Sequence, residues 1–182
     1  TAYGTEVTFT TNAIVIPTVT TDEATLITLT TAVSGGNVTS DSGATVSERG
    51  VVWATTVNPT TASSKIASGT GTGVFTGNLT GLTAGTTYYI RAYAINSVGT
   101  AYGNQVTFTT SPVAVPTLTT TAVTAVLITT ATSGGNITAD GGGAVTARGV
   151  CWATTADPTI ANSKTTNGTG TGSFVSNLTG LL

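Results

Sequence analysis

Charged residues are scarce in this chain of 182 amino acids. Only 7% of its residues are Asp, Glu, Lys or Arg, and the net charge is −2; a typical globular protein has roughly 25% charged residues. Because no basic cluster is present to neutralise a phosphate backbone, we expect no nucleic acid partner. The longest apolar runs, such as residues 13–16, are too short to cross a bilayer, so we expect no membrane insertion by this segment.

The chain also contains no histidine and only one cysteine, Cys151. The commonest general base and transition-metal ligand is therefore missing, and an internal disulfide is excluded. Asp22 and Glu23 are adjacent, as ligands at a calcium-binding domain joint would be, but a calcium site needs more oxygen ligands than these two. We predict that the protein is not an enzyme and that it holds no cofactor and no metal ion.

Threonine is abundant instead, with 47 residues. It is a β-branched residue that favours strands. Runs rich in Val, Ile, Thr and Tyr alternate with clusters of Gly, Asn, Asp and Pro, which is typical of a β-sandwich without helices of note. The predicted strands lie near residues 17–21, 25–34, 44–56, 64–67, 73–79, 86–95 and 104–110. The segments SGGN, DSG, VNPTT and GTGTG are predicted to be turns, and GTGTG a hairpin turn in particular.

The sequence repeats itself with a period of 99 residues. Residues 1–83 align without a gap on residues 100–182, and 48 of these 83 positions are identical. Shared landmarks include Trp53 and Trp152, each preceded by an Arg-Gly-Val segment. Such self-similarity indicates a tandem repeat in which each period is one structural unit.

The segment GLTAGTTYYIRAYAINSVG, residues 81–99, resembles the fibronectin type III family. Leu82 stands six residues before Tyr88, as in that family's tyrosine corner, and Tyr88, Ile90 and Ala92 alternate inward. The SGGN and DSGATVSERGVVW segments are similar to repeats of large surface proteins of Bacteroidetes-type bacteria. The resemblance implies tandem fibronectin type III-like or immunoglobulin-like β-sandwiches in an extracellular, cell-surface protein.

The repeat also predicts the domain boundaries. Residues 12–110 form one complete repeat, and residues 111–182 match a second repeat without its last two strands. Residues 1–11 match residues 100–110 at nine of eleven positions and are therefore an orphan last strand. Three interpretations remain open: a window on a longer array, a donor strand that docks through Glu6, Val7 and Phe9 onto another molecule, or a strand that folds back onto its own chain.

Two aromatic residues flank a cation on one strand. Tyr89, Arg91 and Tyr93 are predicted to face solvent if Ile90 and Ala92 face inward, and such a stripe suits a glycan or a partner chain. Pairing with neighbouring strands is the competing explanation. Arg49 and Trp53 share a strand face, for which we weigh an inward Trp with Arg at the sandwich rim against an exposed platform for sugars. Candidate glycosylation sequons begin at Asn37, Asn78, Asn136, Asn167 and Asn177.

These features favour a non-enzymatic structural repeat of an extracellular bacterial filament, stalk or adhesin. Its expected partners are neighbouring repeats or identical subunits, joined in one version by strand complementation. The proline-closed linkers ending at Pro17 and Pro116 predict stiff joints between repeats. The alternative function is a carbohydrate-binding or spacer module of a secreted glycan-active protein, with surface glycans as partners.

Overall fold

The structure, a computed structural model, describes residues 1–181. These residues divide into two compact units, Thr1–Pro112 and a second that begins at Val113. Among the described residues every regular element is a β-strand, so the prediction of an all-β fold is confirmed. Residues 1–181 contain no helix with the length and apolarity needed to span a membrane. Leu182, the last residue of the predicted second repeat, lies outside the described residues.

The first unit is a sandwich of two antiparallel sheets. Its strands are β1 (Thr18–Thr21), β2 (Ala32–Ser40), β3 (Glu48–Ala54), β4 (Ser64–Ala67), β5 (Gly73–Leu79), β6 (Thr87–Ile95), β7 (Thr100–Tyr102) and β8 (Val106–Thr109). One sheet has the order β1-β2-β5, and the other has the order β4-β3-β6-β7, with β8 also pairing with β6. This arrangement is a fibronectin type III-like β-sandwich.

The core of the first unit lies between these sheets. Val38 and Leu79 face it from the first sheet, and Val51, Ile90 and Ala92 face it from the second. Along β5, and along β6 from Thr87 to Ala92, buried residues alternate with more exposed ones, because successive side chains of a strand point to opposite faces. The predicted inward alternation on β6 is therefore confirmed, and the burial of these side chains is the main source of stability.

Two turn predictions are wrong. The SGGN segment lies inside β2, where the backbones of β1 and β5 approach it. A Cβ atom at Gly35 would lie 2.0 Å from the Phe75 carbonyl oxygen, and one at Gly36 would lie 2.2 Å from that of Thr20, so glycine here serves a close backbone approach and not a turn. GTGTG is a loop with positive φ at Gly71, but it connects β4 to β5 in the opposite sheet and is not a hairpin turn.

Several strand boundaries also differ from the prediction. The strand expected at 25–34 begins only at Ala32, and the one expected at 44–56 spans Glu48–Ala54. Strand β7 was not predicted. Residues 100–109 form two short strands on the same side of β6, Tyr102 opposite Tyr93 and Phe108 opposite Tyr88. The final strand of the period is thus interrupted between Tyr102 and Val106.

The described residues of the second unit form five strands: β9 (Thr117–Thr124), β10 (Thr130–Ala139), β11 (Cys151–Trp152), β12 (Ser163–Lys164) and β13 (Gly172–Thr179). One sheet has the order β13-β10-β9, and β11 pairs with β12. The strand register corresponds to that of the first unit. Gly135 pairs with Phe174 as Gly36 pairs with Phe75.

Residues 1–11 form no strand and are exposed. They pair with no strand of the described chain, so the fold-back interpretation is wrong. In the first unit the equivalent position beside β6 is occupied by residues 100–109. The longer array and the donor strand both remain predictions.

Candidate functional site: the outer face of strand β6

The predicted aromatic stripe lies on the outer face of β6, but its three side chains are not equally accessible. Tyr93 is fully buried, whereas Tyr89 and Arg91 are half-buried. The ring of Tyr93 lies over Gly50, where an added Cβ atom would be 2.9 Å from Tyr93 Cε1. The prediction that all three side chains face solvent is therefore wrong for Tyr93, because side chains of the neighbouring strands β3 and β4 cover its ring.

Glu48 and Lys65 complete the cover over Tyr93. The Tyr93 hydroxyl donates a hydrogen bond of 2.5 Å to Glu48 Oε1, and Lys65 Nζ lies 3.1 Å from the same oxygen. Lys65 Nζ is also 5.9 Å from the centroid of the Tyr93 ring, a distance at which a cation is attracted to the ring. These three side chains join β3, β4 and β6 across the outer face.

The same contacts shift two pKa values in opposite directions. The hydrogen bond from Tyr93, and after it the one from Lys65, lowers the pKa of Glu48 because both stabilise the carboxylate. Burial raises the pKa of Tyr93, and the hydrogen bond to Glu48 and its negative charge raise it further. Neither group is thereby prepared for proton transfer near neutral pH. The cluster stabilises a neutral tyrosine beside a charged glutamate.

Arg91 and Tyr89 have different surroundings. Arg91 Nε donates a 3.0 Å hydrogen bond to the Gly103 carbonyl, and its guanidinium carbon lies 4.7 Å from the Tyr102 ring centroid. The Tyr102 hydroxyl in turn accepts a hydrogen bond from the Thr61 amide. Arg91 thus stabilises the segment that connects β7 to β8. Tyr89 lies opposite Ala54 and Thr107, and it remains the accessible aromatic residue of the stripe.

Arg49 and Arg148 occupy equivalent places in the two units. Arg49 Nη1 donates to the carbonyls of the GTGTG loop at Gly71, Thr72 and Gly73, and Arg148 Nη1 does so at Gly170, Thr171 and Gly172. The guanidinium carbons lie 5.3 Å from the ring of Phe75 and 5.4 Å from that of Phe174. The prediction of an arginine stacked at the rim is confirmed. We call this arrangement the arginine clamp.

The two remaining aromatic predictions concern the core. The Tyr88 hydroxyl accepts a 3.0 Å hydrogen bond from the Thr83 amide, and its ring stacks on that of Phe108, with centroids 5.7 Å apart. The predicted tyrosine corner is confirmed. Trp53 packs against the core cluster as a partly buried residue, which agrees with the inward placement and not with an exposed sugar platform.

The candidate donor segment presents its apolar side chains to solvent. Val7 and Phe9 are 84% and 87% exposed, whereas their equivalents Val106 and Phe108 are both 6% exposed. Glu6 is exposed as well. The segment therefore has the composition of a buried strand without its contacts, and its role as a donor remains a prediction.

The five sequon asparagines differ in accessibility. Asn78 on β5 and Asn177 on β13 are exposed, whereas Asn37 on β2 and Asn136 on β10 are half-buried. Asn167 Nδ2 donates to the Val175 carbonyl, and its Oδ1 accepts hydrogen bonds from Thr165 and Ser176. This polar cluster was not predicted. The equivalent residues of the first unit are Ile66, Ser68 and Gly77. The only signal of the cluster in the sequence is therefore that these three positions differ between the two copies.

No three His, Cys, Asp or Glu side chains lie close enough together to hold a metal ion in the part of the chain that the structure describes. No protein-family model matches the chain, and no curated protein matches it.

Several solved structures are similar to the chain. The sensor domain of the anti-sigma factor RsgI4 of Pseudobacteroides cellulosolvens is 17% identical, with 55% of this chain and 99% of that domain covered and a TM-score of 0.41. The third fibronectin III domain of the human KIAA0343 protein is 14% identical, with 63% of this chain and 98% of that domain covered and a TM-score of 0.39. A two-domain fibronectin type III segment of chicken tenascin is 17% identical, with 88% of this chain and 81% of that segment covered and a TM-score of 0.34.

Proposed function

We propose that this chain is a non-enzymatic structural repeat of an extracellular bacterial surface filament, stalk or adhesin. The observation that carries the proposal is the arginine clamp, present in the same place in both units. In each unit one guanidinium ties the GTGTG loop to an aromatic ring, which is the buried Phe75 in the first unit and the half-buried Phe174 in the second. A device of this kind holds each sandwich together individually, which is what a module repeated along a chain requires.

The other polar side chains of the first unit support the same proposal. Glu48, Lys65 and Tyr93 bond to one another, and Arg91 bonds to the backbone of its own sheet. These polar groups stabilise the sandwich by bonding to one another and to its backbone, so on the outer face they are not directed toward a ligand. The expected partners are therefore neighbouring repeats and identical subunits, met through backbone edges or exposed segments and not through a concave polar site.

Small-angle X-ray scattering tests the spacer function. The chain of 182 residues is compared with a chain extended by one further 99-residue period. Since strands of nine residues span about 30 Å, we expect the maximum dimension to increase by about that length for each added period. A maximum dimension that stays nearly constant would show that repeats fold against one another, and the spacer proposal would be abandoned.

The alternative is a carbohydrate-binding or spacer module of a secreted glycan-active protein, and the accessibility of Tyr89 favours it. An aromatic ring beside a cation can stack on a sugar. If this function is correct, the chain is retained on a glycan array and Tyr89→Ala abolishes the retention, whereas Ile128→Ala, at an exposed position of the second unit, leaves it unchanged. An array without signal for the unaltered chain would exclude this alternative.

A further inference from the structure

In the linker that ends at Pro17, both backbone groups of Val15 bond to other parts of the first unit. The Val15 amide donates a 3.3 Å hydrogen bond to the Ser42 carbonyl, and the Val15 carbonyl accepts a 2.7 Å hydrogen bond from Asn96 Nδ2. Ser42 lies in the loop between β2 and β3, and Asn96 directly follows β6. The linker is therefore attached to two segments that are far from it in the sequence.

Asn96 is a buried side chain whose hydrogen-bonding groups are all in use. Its Nδ2 donates to the carbonyls of Val15 and Asp41, over 2.7 and 3.2 Å. Its Oδ1 accepts from the amides of Val98 and Gly99, over 2.9 and 3.2 Å. Because a side-chain amide has two N–H donors and an oxygen with two lone pairs, the four bonds divide into two sets. The Nδ2 donors bond to the linker and the β2–β3 loop, and Oδ1 bonds to the turn between β6 and β7.

The apolar side chains of the linker supply only part of its attachment. Ile14, Val15 and Ile16 are each about half-exposed. Ile14 Cγ1 would lie 3.7 Å from a Cβ atom added at Gly43, and Ile16 Cγ2 would lie 3.5 Å from one added at Gly99. Since the free energy of apolar burial scales with the area removed from water, half-exposed side chains contribute correspondingly less. The hydrogen bonds of the linker backbone therefore carry much of its attachment.

The bond between linker and loop recurs in the second unit. Ala114 and Gly141 are the equivalents of Val15 and Ser42, and the Ala114 amide donates a 2.9 Å hydrogen bond to the Gly141 carbonyl. Ser42 and Gly141 both have positive φ, 56° and 70°. This conformation is costly for serine and persists where the surrounding structure fixes the backbone. The contact between linker and loop thus belongs to the repeat and not to one copy of it.

We propose that Asn96 is a positioning residue that fixes the linker to the repeat that follows it. From Ile14 onward the linker then moves with the sandwich and does not act as a flexible tether. Loss of the two Nδ2 donors releases the linker while the sandwich remains folded. The inference deepens the proposed spacer function and rests on it, because a stiff linker makes a repeat a better spacer than a flexible one does.

Backbone NMR relaxation of the chain of 182 residues tests the inference with Asn96→Asp. This change retains Oδ1 for the amides of Val98 and Gly99, but it places a carboxylate oxygen where Nδ2 donated to Val15 and Asp41. We expect the order parameter of the Val15 amide to fall from about 0.85, the value of rigid backbone, to below about 0.6. The order parameters of the Val98 and Gly99 amides should stay near about 0.85, because the turn keeps its acceptor.

The matched control is Asn104→Asp. Asn104 is exposed, and its Oδ1 also accepts a backbone hydrogen bond, from the Thr21 amide. The control variant therefore introduces the same charge and retains the same kind of acceptor without changing a contact of the linker. The order parameter of the Val15 amide should be the same in this variant as in the unaltered chain.

Hydrogen exchange at the buried Ala92 amide, which donates to Thr21 Oγ1, shows whether the sandwich remains folded in Asn96→Asp. We expect this amide to stay protected, because amides of the core exchange through global opening. An unchanged order parameter at Val15, an equal fall in both Asn→Asp variants, or loss of protection at Ala92 would each overturn the proposal. The scattering comparison uses chains without these substitutions, so failure of the inference and failure of the spacer function are distinguishable.

Discussion

The two units contain the same first sheet but bury it to different extents. Val19 of β1 is 8% exposed, whereas its equivalent Leu118 of β9 is 56% exposed. The register between the central strand and its neighbour is nevertheless retained, with Ala131 opposite Leu178 as Ala32 is opposite Leu79. The backbone pairing of this sheet is thus retained where the second layer consists only of β11 and β12, but the burial of its side chains is not.

Strand β6 accounts for the difference. It pairs with β3 over seven positions, and its Ala92 amide donates to Thr21 Oγ1 of β1 in the opposite sheet. The described second unit has no equivalent of β6, and Val150 there is only half-buried while Val51 is fully buried. The comparison indicates that β6 organises the second layer and closes the core. The predictions below test this from the largest expected effect to the smallest.

Removing the core contact of β6 should destabilise the first unit alone. Ile90→Ala is expected to lower its free energy of unfolding by about 3 kcal/mol, since it leaves a cavity in a buried position. Urea unfolding is followed by the fluorescence of Trp53 in a Trp152→Phe background. Ile128→Ala, at a residue that is 94% exposed, is the control and should change the midpoint little. A loss of less than about 0.5 kcal/mol would contradict a core role for β6, because substitutions of surface residues usually change the free energy of unfolding by no more than that.

The arginine clamp should matter in both units. Arg49→Ala and Arg148→Ala should each lower the free energy of unfolding of their own unit by about 2 kcal/mol, because charge-assisted hydrogen bonds to loop carbonyls are lost. Trp53 reports on the first unit, and Trp152 in a Trp53→Phe background reports on the second. Replacement by lysine should recover only part of the loss, since Lys lacks the planar fork. Full recovery by lysine would show that charge alone suffices.

The tyrosine corner should stabilise the first unit by a smaller amount. Tyr88→Phe keeps the ring on Phe108 but leaves the Thr83 amide without its side-chain acceptor. We expect a loss of about 1 kcal/mol in the free energy of unfolding, measured by the same urea unfolding. Tyr89→Phe, on the outer face, is the matched control. Equal effects of the two changes would mean that the corner hydrogen bond contributes nothing specific.

Lowering the pH should reduce the free energy of unfolding of the first unit slightly more than that of the second, because the second unit has Ala147 at the position of Glu48. The folded-state pKa of Glu48 lies below its ordinary value of 4.5. Its contribution is therefore present above pH 4.5 and is lost as the pH falls below that value toward the folded-state pKa. Because Glu48 is partly exposed, screening keeps the contribution below about 1 kcal/mol. Glu48→Gln should remove this part of the pH dependence, measured by urea unfolding between neutral and acidic pH.

Much of the first unit could be predicted from the alternation of residue types. Tyr88, Ile90 and Ala92 were predicted to face inward because a strand turns every second side chain to the same face. Arg49 and Trp53 followed from the same rule, and the spacing of Leu82 and Tyr88 indicated the corner. These inferences are local, since each depends on a few neighbouring residues of one strand.

Other features depend on segments that are far apart in the sequence. Alternation placed Tyr93 on the outer face correctly, but its burial arises from Glu48 and Lys65 on two other strands. Likewise, Gly35 and Gly36 look like a turn until the backbones of β1 and β5 are brought against them. Outer-face exposure and close backbone approach are properties of the assembled sheets.

The sequence by itself therefore determined the all-β class, the inward side of most strands and the equivalence of the two copies. Only the tertiary structure decided which outward residues are covered and that residues 100–109 form two strands. The physical reason is that alternation within a strand is set by local backbone geometry, whereas burial and edge pairing require a partner strand from a distant part of the chain.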